Sequence, residues 1–281
     1  MALPRTLSTA QAGWAARAAR AVLIGTLGYA LVCAALWFGQ EHLIFRSTPL
    51  PAEHRFSLAD DVHERWVEVP SARLNTLHLR LPNPDGVVFY LHGNAGNLQT
   101  WFFNVDFYRR LNMDLFMLDY RGYGKSSGSI DSQAQLEADV RSAWQTVAPH
   151  YAGLRRVVFG RSLGSGLAAM LAAEVQPEQT VLVSAYESLQ ALTAEIYPWL
   201  PGALLRYPLR TDEALARIQG PVLIVHGGRD SVIPAAHSQR LQARAPGAML
   251  LLIPEAGHGD VHRFEAYLQA VGRALAPQRA P

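Results

Sequence analysis

The chain has 281 residues, enough for one α/β domain with a sizeable core. Hydrophobic residues make up 49% and charged residues 17%, which excludes a disordered chain. The net charge is +2 with no basic run beyond the N-terminal region, which argues against a nucleic-acid partner.

The first element is apolar. Ala21–Phe38, "AVLIGTLGYALVCAALWF", carries no charge. At about 1.5 Å per residue it is roughly 27 Å long, close to the hydrocarbon thickness of a bilayer. Arg5, Arg17 and Arg20 precede it and no acid does. That bias keeps the N-terminus in the cytoplasm and sends the rest across. Trp37 and Phe38 stand where an interfacial aromatic belt belongs. The reading is a single-pass anchor, with residues 1–20 as a cytoplasmic tail, 21–39 as the transmembrane segment and 40–61 as a connector. A cleaved signal peptide and a long buried helix are the alternatives. A signal peptide's apolar core is shorter, at ~7–15 residues, and a clear cleavage site is missing. The one cysteine, Cys33, allows no internal disulfide, and no Cys/His cluster suggests a metal.

From residue 62 onward the chain reads as strands and helices in alternation. Two strands are expected near Glu64–Val69 and Leu74–Leu81, then a turn at "LPNPDG". "VVFYLHG", "DLFMLDYRGYG", "RRVVFGRSLGSG", "TVLVSAY", "PVLIVHGGRD" and "AMLLLIPEAGHGD" are short apolar runs that stop at Gly, Asp, Ser or His. They read as strands buried on both faces. Helix-length patterns lie between them, at Leu98–Leu111, Ser132–Ala148, Gly164–Glu174, Ala235–Ala245 and Val261–Leu275. Such alternation predicts a mostly parallel sheet covered by helices, with the ligand site at the carboxyl ends of the strands. Residues 186–212 break the pattern with Pro198, Pro201 and Pro208, and read as a small helical cap exposing Tyr197, Trp199 and Tyr207.

The polar residues of interest fall at those strand ends. Gly160-Arg161-Ser162-Leu163-Gly164 is G-x-S-x-G between a strand and a helix. The sharp turn displays the Ser162 hydroxyl at a helix N-terminus, where developing negative charge is favoured. Serine needs a base and an orienting acid, in the chain order Ser, Asp or Glu, His. Asp230 and His258 follow later strand runs in that order, with Glu187 as a competing acid. His226 and His262 lie within a strand and a helix and read as structural. The Leu163 N–H and the Asn94 N–H of "LHGNAGN" are the expected oxyanion donors, with His92 bracing that loop. "DYRGYGKSSG" fails the phosphate-loop spacing, since Asp119 stands where a glycine is required. It reads as a structural loop beside the site.

Together "YLHGNAGN", "LDYRGYGKSSG", "GRSLGSG", "VLIVHGGRD" and "IPEAGHGD" resemble the α/β-hydrolase superfamily over about Glu64–Leu275. They are similar to a membrane-anchored branch that includes depalmitoylases, lysophospholipases and proteins named after serine aminopeptidases. The resemblance implies an α/β-hydrolase fold at 62–281, with Ser162, Asp230 and His258 as triad and Asn94 and Leu163 as oxyanion donors. It implies no metal and no organic cofactor.

The expected function is a serine hydrolase that cleaves carboxylic esters or thioesters of acyl-chain or lipid-like substrates. Tyr186, Tyr197 and Trp199 are its candidate substrate contacts. Two alternatives stand: a serine peptidase on the same scaffold, with Glu187 or Glu195 holding a peptide amine, and a non-catalytic binding protein. The expected location is membrane-anchored, with the hydrolase domain on the extracytoplasmic side of a bacterial inner membrane. Since the triad and oxyanion donors all lie downstream, a chain lacking residues 1–39 is expected to be soluble and active.

Overall fold

The computed structural model describes residues 9–276, with side chains from residue 13. Residues 1–8 of the expected tail, Arg5 among them, lie outside the described residues, as do 277–281. In chain order the elements are α1 (Thr9–Ile44), β1 (Arg46–Ser47), β2 (Val62–Val69), β3 (Ala72–Leu79), β4 (Gly86–Leu91) and β5 (Ala95–Gly96). Next come α2 (Leu98–Trp101), α3 (Val105–Arg110), β6 (Met113–Leu118), α4 (Gln133–Val147), β7 (Arg155–Arg161) and α5 (Leu163–Val175). The chain continues with β8 (Gln179–Val183), α6 (Leu189–Ile196), α7 (Thr211–Leu215), β9 (Val222–Gly227), α8 (Ala236–Arg244), β10 (Met249–Ile253) and α9 (Glu265–Leu275).

Eight strands form one sheet in the order β2-β3-β6-β4-β7-β8-β9-β10. The β2–β3 and β3–β6 pairs are antiparallel, and the remaining pairs are parallel. Along β4 the side chains divide between two cores, as period-2 geometry requires. Val87, Phe89 and Leu91 pack on one face with Trp144 of α4 and Leu167 of α5. Val88 and Tyr90 pack on the other with Phe107 of α3 and Val271 of α9. Both faces are therefore covered, which is why the strand runs are apolar without alternation.

The expected helix at Leu98–Leu111 is two shorter ones. Asn97 caps α2 in a reciprocal capping box with Thr100. Asn104, in the left-handed region at φ 57°, then redirects the chain into α3. The segment between β8 and β9 is a cap of α6, a 3-10 turn at Gly202–Leu204 and α7. Ser188 caps α6 by accepting from the Ala191 N–H. The helix stops at Ile196, just before Pro198. Tyr207 departs from expectation. It is fully buried, donates its hydroxyl to Glu41 Oε1 at 2.8 Å and packs edge-on against Phe45.

α1 is long and apolar enough to cross a membrane. Its last turns pass along the cap. Gln40 Nε2 donates to the Leu204 carbonyl at 3.1 Å, and its Oε1 accepts from the Arg206 N–H at 2.8 Å. Glu41 pairs with Arg206, whose guanidinium also lies 5.7 Å from the Trp37 ring. After α1 the chain forms the parallel β1–β5 ladder, pairing Arg46 with Ala95 and Ser47 with Gly96.

Candidate active site

Ser162 follows the last residue of β7 and precedes the first of α5. Its backbone is at φ 53°, ψ −124°, a region that L-residues rarely occupy. Small neighbours make the turn possible. A Cβ on Gly160 would collide with the Gly164 carbonyl and Ala168, and one on Gly164 with the Leu91 carbonyl of β4. The two glycines of the motif thus let α5 press against the sheet while the serine stands at its edge.

His258 Nε2 lies 3.0 Å from Ser162 Oγ, and His258 Nδ1 lies 2.7 Å from Asp230 Oδ2. The carboxylate on His258 is therefore Asp230. Glu187 is instead engaged by Arg240, Arg244 and His237. Asp230 Oδ1 accepts the N–H groups of Val232 and Ile233 at 2.9 and 2.8 Å. Burial opposes its charge, but hydrogen bonds from His226, His258 and the Ile233 N–H outweigh that. They hold its carboxyl well below the usual carboxylate range. Arg161 donates to the His258 carbonyl at 2.8 Å and so ties the loop after β10 to the end of β7.

Asn94 and Leu163 border the same cavity as Ser162. Their carbonyls and surroundings are braced from behind. The Tyr123 hydroxyl donates to the Asn94 carbonyl at 2.7 Å and the Tyr120 hydroxyl to the His92 carbonyl at 2.9 Å. Both tyrosines belong to "DYRGYGKSSG", which is thus a support for the loop after β4. His92 is fully buried, 2.7 Å from the Gly93 carbonyl through Nδ1, and stacks on Trp101. The Tyr186 hydroxyl donates to the Leu163 carbonyl at 2.9 Å, bracing the start of α5.

The cavity over Ser162 measures about 490 Å³. Tyr186, Tyr197 and Trp199 all border it, together with cap residues such as Leu192 and Leu204. Leu36, Gln40, Leu43 and Ile44 of α1 also border it. Sequence reading missed this wall, since α1 ends more than a hundred residues before Ser162. His226, which the sequence places within a strand as a structural residue, is fully buried on β9. Its Nε2 lies 2.8 Å from the Ile233 carbonyl and 3.4 Å from Asp230 Oδ2. His262 sits 3.3 Å from Arg161, and burial beside that cation pulls it down to about 4.

Glu187, Glu195 and His237 approach one another closely enough to ligate a metal ion. Arg240 already bonds both carboxylates, so the charge there is neutralised by guanidinium. No residue of this trio borders the cavity over Ser162.

A family model described as serine aminopeptidase, S33, matches residues 82–206. An uncharacterized protein of Mycobacterium tuberculosis is 32% identical over 92% of this chain and 95% of its own length. Human alpha/beta hydrolase domain-containing protein 17B is 31% identical over 67% of this chain and 65% of its own. Among solved structures, an esterase from Pyrococcus furiosus superposes with a TM-score of 0.64, covering 82% of this chain and 97% of that one at 18% identity. With the sheet order, the strand-end serine and these relatives together, the chain belongs to the α/β-hydrolase superfamily, in its serine aminopeptidase-like branch.

Proposed function

We propose that this hydrolase is a serine esterase or thioesterase acting on acyl-chain substrates through an acyl-enzyme. The observation that carries the reading is the continuous Ser162–His258–Asp230 relay opening into an apolar cavity. Ser162 Oγ attacks the acyl carbon as its proton passes to His258 Nε2. The carbonyl π pair moves to oxygen, where the Asn94 and Leu163 N–H groups receive the charge. Loss of one such donor costs about 3–4 kcal/mol. The tetrahedral intermediate collapses, the C–O or C–S bond breaks, and His258 returns the proton to the leaving group. Water then repeats the sequence on the acyl-enzyme. Asp230 keeps its charge throughout and stabilises the imidazolium.

The apolar lining by Leu, Tyr and Trp side chains supports an acyl group over a peptide. The carboxylates that a peptidase would use for a substrate amine, Glu187 and Glu195, are both held by Arg240. The uncharged run Ala21–Phe38 of α1 supports membrane anchorage, and the arginines before that run support an extracytoplasmic hydrolase domain.

Fluorophosphonate labelling and turnover of p-nitrophenyl esters from acetate to palmitate test the reading. Wild type is expected to label and hydrolyse, and Ser162→Ala to do neither. Labelling that survives in the alanine variant would remove Ser162 as nucleophile. Carbonate-resistant membrane association and a phosphatase fusion after residue 40 test the anchor and its orientation.

A further inference from the structure

We propose that the tip of the cap, Ile196–Leu200, is immersed in the same leaflet as the second half of α1, so that the cavity receives acyl chains directly from the lipid. The substrate part rests on the esterase reading above, and the immersion rests on the anchor reading of α1 alone.

The depth follows from two contacts. Tyr29 lies in the middle of the uncharged run Ala21–Phe38, nine residues before its end, or about 13 Å along the helix. Its hydroxyl donates to the Trp199 carbonyl at 2.9 Å. Helical side chains tilt toward the N-terminus, so Trp199 lies at least as deep as the Tyr29 backbone. Seven residues later Arg206 meets Trp37 and Glu41, at the end of the run. The cap therefore climbs alongside α1 from mid-span back to the interface.

The chemistry of the tip matches that depth. Ile196 to Leu205 contains no charge, and Glu195 and Arg206 bracket it. Ile196, Tyr197 and Trp199 are 52%, 50% and 53% exposed, an apolar display that water disfavours and lipid accepts. Irregular backbone in hydrocarbon must have its polar groups satisfied. Pro198 and Pro201 have no N–H. The N–H groups of Tyr197, Leu200, Leu204 and Leu205 bond to Thr193, Tyr197, Pro201 and Gly202 carbonyls, and within the tip only the Trp199 N–H is left without a partner among the described residues. Tyr29 takes the Trp199 carbonyl and Gln40 takes that of Leu204. The cavity wall is shared between this tip, through Tyr197 and Trp199, and α1, through Leu36 and Leu43. An acyl chain lying in the leaflet beside α1 thus meets the cavity without crossing water.

The test uses the full chain in phosphatidylcholine nanodiscs on a Cys33→Ser background. A bimane label is placed at Ile196→Cys, with Gln145→Cys on α4 as the exposed control. Lipids carrying a doxyl group at acyl carbon 5 are expected to quench the Ile196 label several-fold more than the Gln145 label. Equal, weak quenching at both sites would overturn the immersion. Turnover of p-nitrophenyl acetate by the same labelled protein reports separately on the esterase reading. Quenching without turnover would leave the immersed tip standing and remove the substrate claim.

Discussion

The Nε2 of His226 lies 3.4 Å from Asp230 Oδ2, the same oxygen that His258 approaches at 2.7 Å. Two imidazoles therefore converge on one carboxylate oxygen, and the second is buried on β9 where it cannot reach substrate. His226 is a positioning residue for Asp230. We expect His226→Gln to lower kcat on the order of tenfold, about 1.4 kcal/mol, with little change in KM. Asp230→Asn should cost far more, roughly 10⁴ in kcat. Steady-state kinetics on one short ester ranks them, and equal effects would make His226 more than a brace.

Strain at the candidate nucleophile gives a stability prediction. Ser162 holds φ at 53°, which glycine adopts freely and alanine does not. Ser162→Gly should therefore melt above Ser162→Ala by an amount reflecting about 1 kcal/mol, with both expected to be inactive. Identical melting temperatures in the same detergent would place the strain elsewhere.

Trp199 borders the cavity and is half exposed at its mouth. Trp199→Ala should reduce kcat/KM for decanoate esters much more than for acetate, since each lost methylene contact is worth up to ~0.8 kcal/mol. A uniform loss across chain lengths would assign Trp199 to packing alone.

His78 supplies a pH dependence away from the site. Burial, with Arg80 and His63 nearby, pulls it down to about 3. Its Nε2 lies 2.8 Å from the Tyr151 hydroxyl, which donates to Asp114 at 2.5 Å. A histidine depressed in the folded state contributes fully above its unfolded value near 6.5. That contribution is lost as pH falls from 6.5 toward 3. By pH 5 the loss is about 2 kcal/mol. Asp114 is pushed up by burial and acts in the opposite sense at lower pH. Urea unfolding at pH 7 and pH 5 should show a smaller drop for His78→Gln than for wild type.

The strand ends were legible because each is written locally: an apolar run, a glycine, then the reactive side chain. Gly160 and Gly164 carry their reason in the sequence, since only the absence of a Cβ allows the turn. The cap's place between β8 and β9 followed from its prolines. What could not be read was contact across distance. Tyr207 looked exposed because its burial depends on Phe45 and Glu41, far away in the chain. The break in Leu98–Leu111 turns on one left-handed asparagine, Asn104, at φ 57°. The α1 wall of the cavity has no sequence signature, because an apolar helix facing lipid and one facing an acyl pocket use the same residues.

The β1–β5 ladder joins the exit of α1 to the loop after β4, with the Arg46 N–H on the Asn94 carbonyl at 2.8 Å and the Thr48 N–H on the Gly96 carbonyl at 3.1 Å. Load applied to the helix is thereby delivered to the carbonyl side of Asn94, one rotation away from the N–H proposed as an oxyanion donor. Two truncations separate the consequences. A chain starting at Gln40 keeps the ladder and loses Leu36 and Tyr29, so short esters should still turn over while long ones suffer. A chain starting at Pro49 also loses the ladder, and acetate turnover should fall with it, as a clamp released from one jaw no longer holds the other.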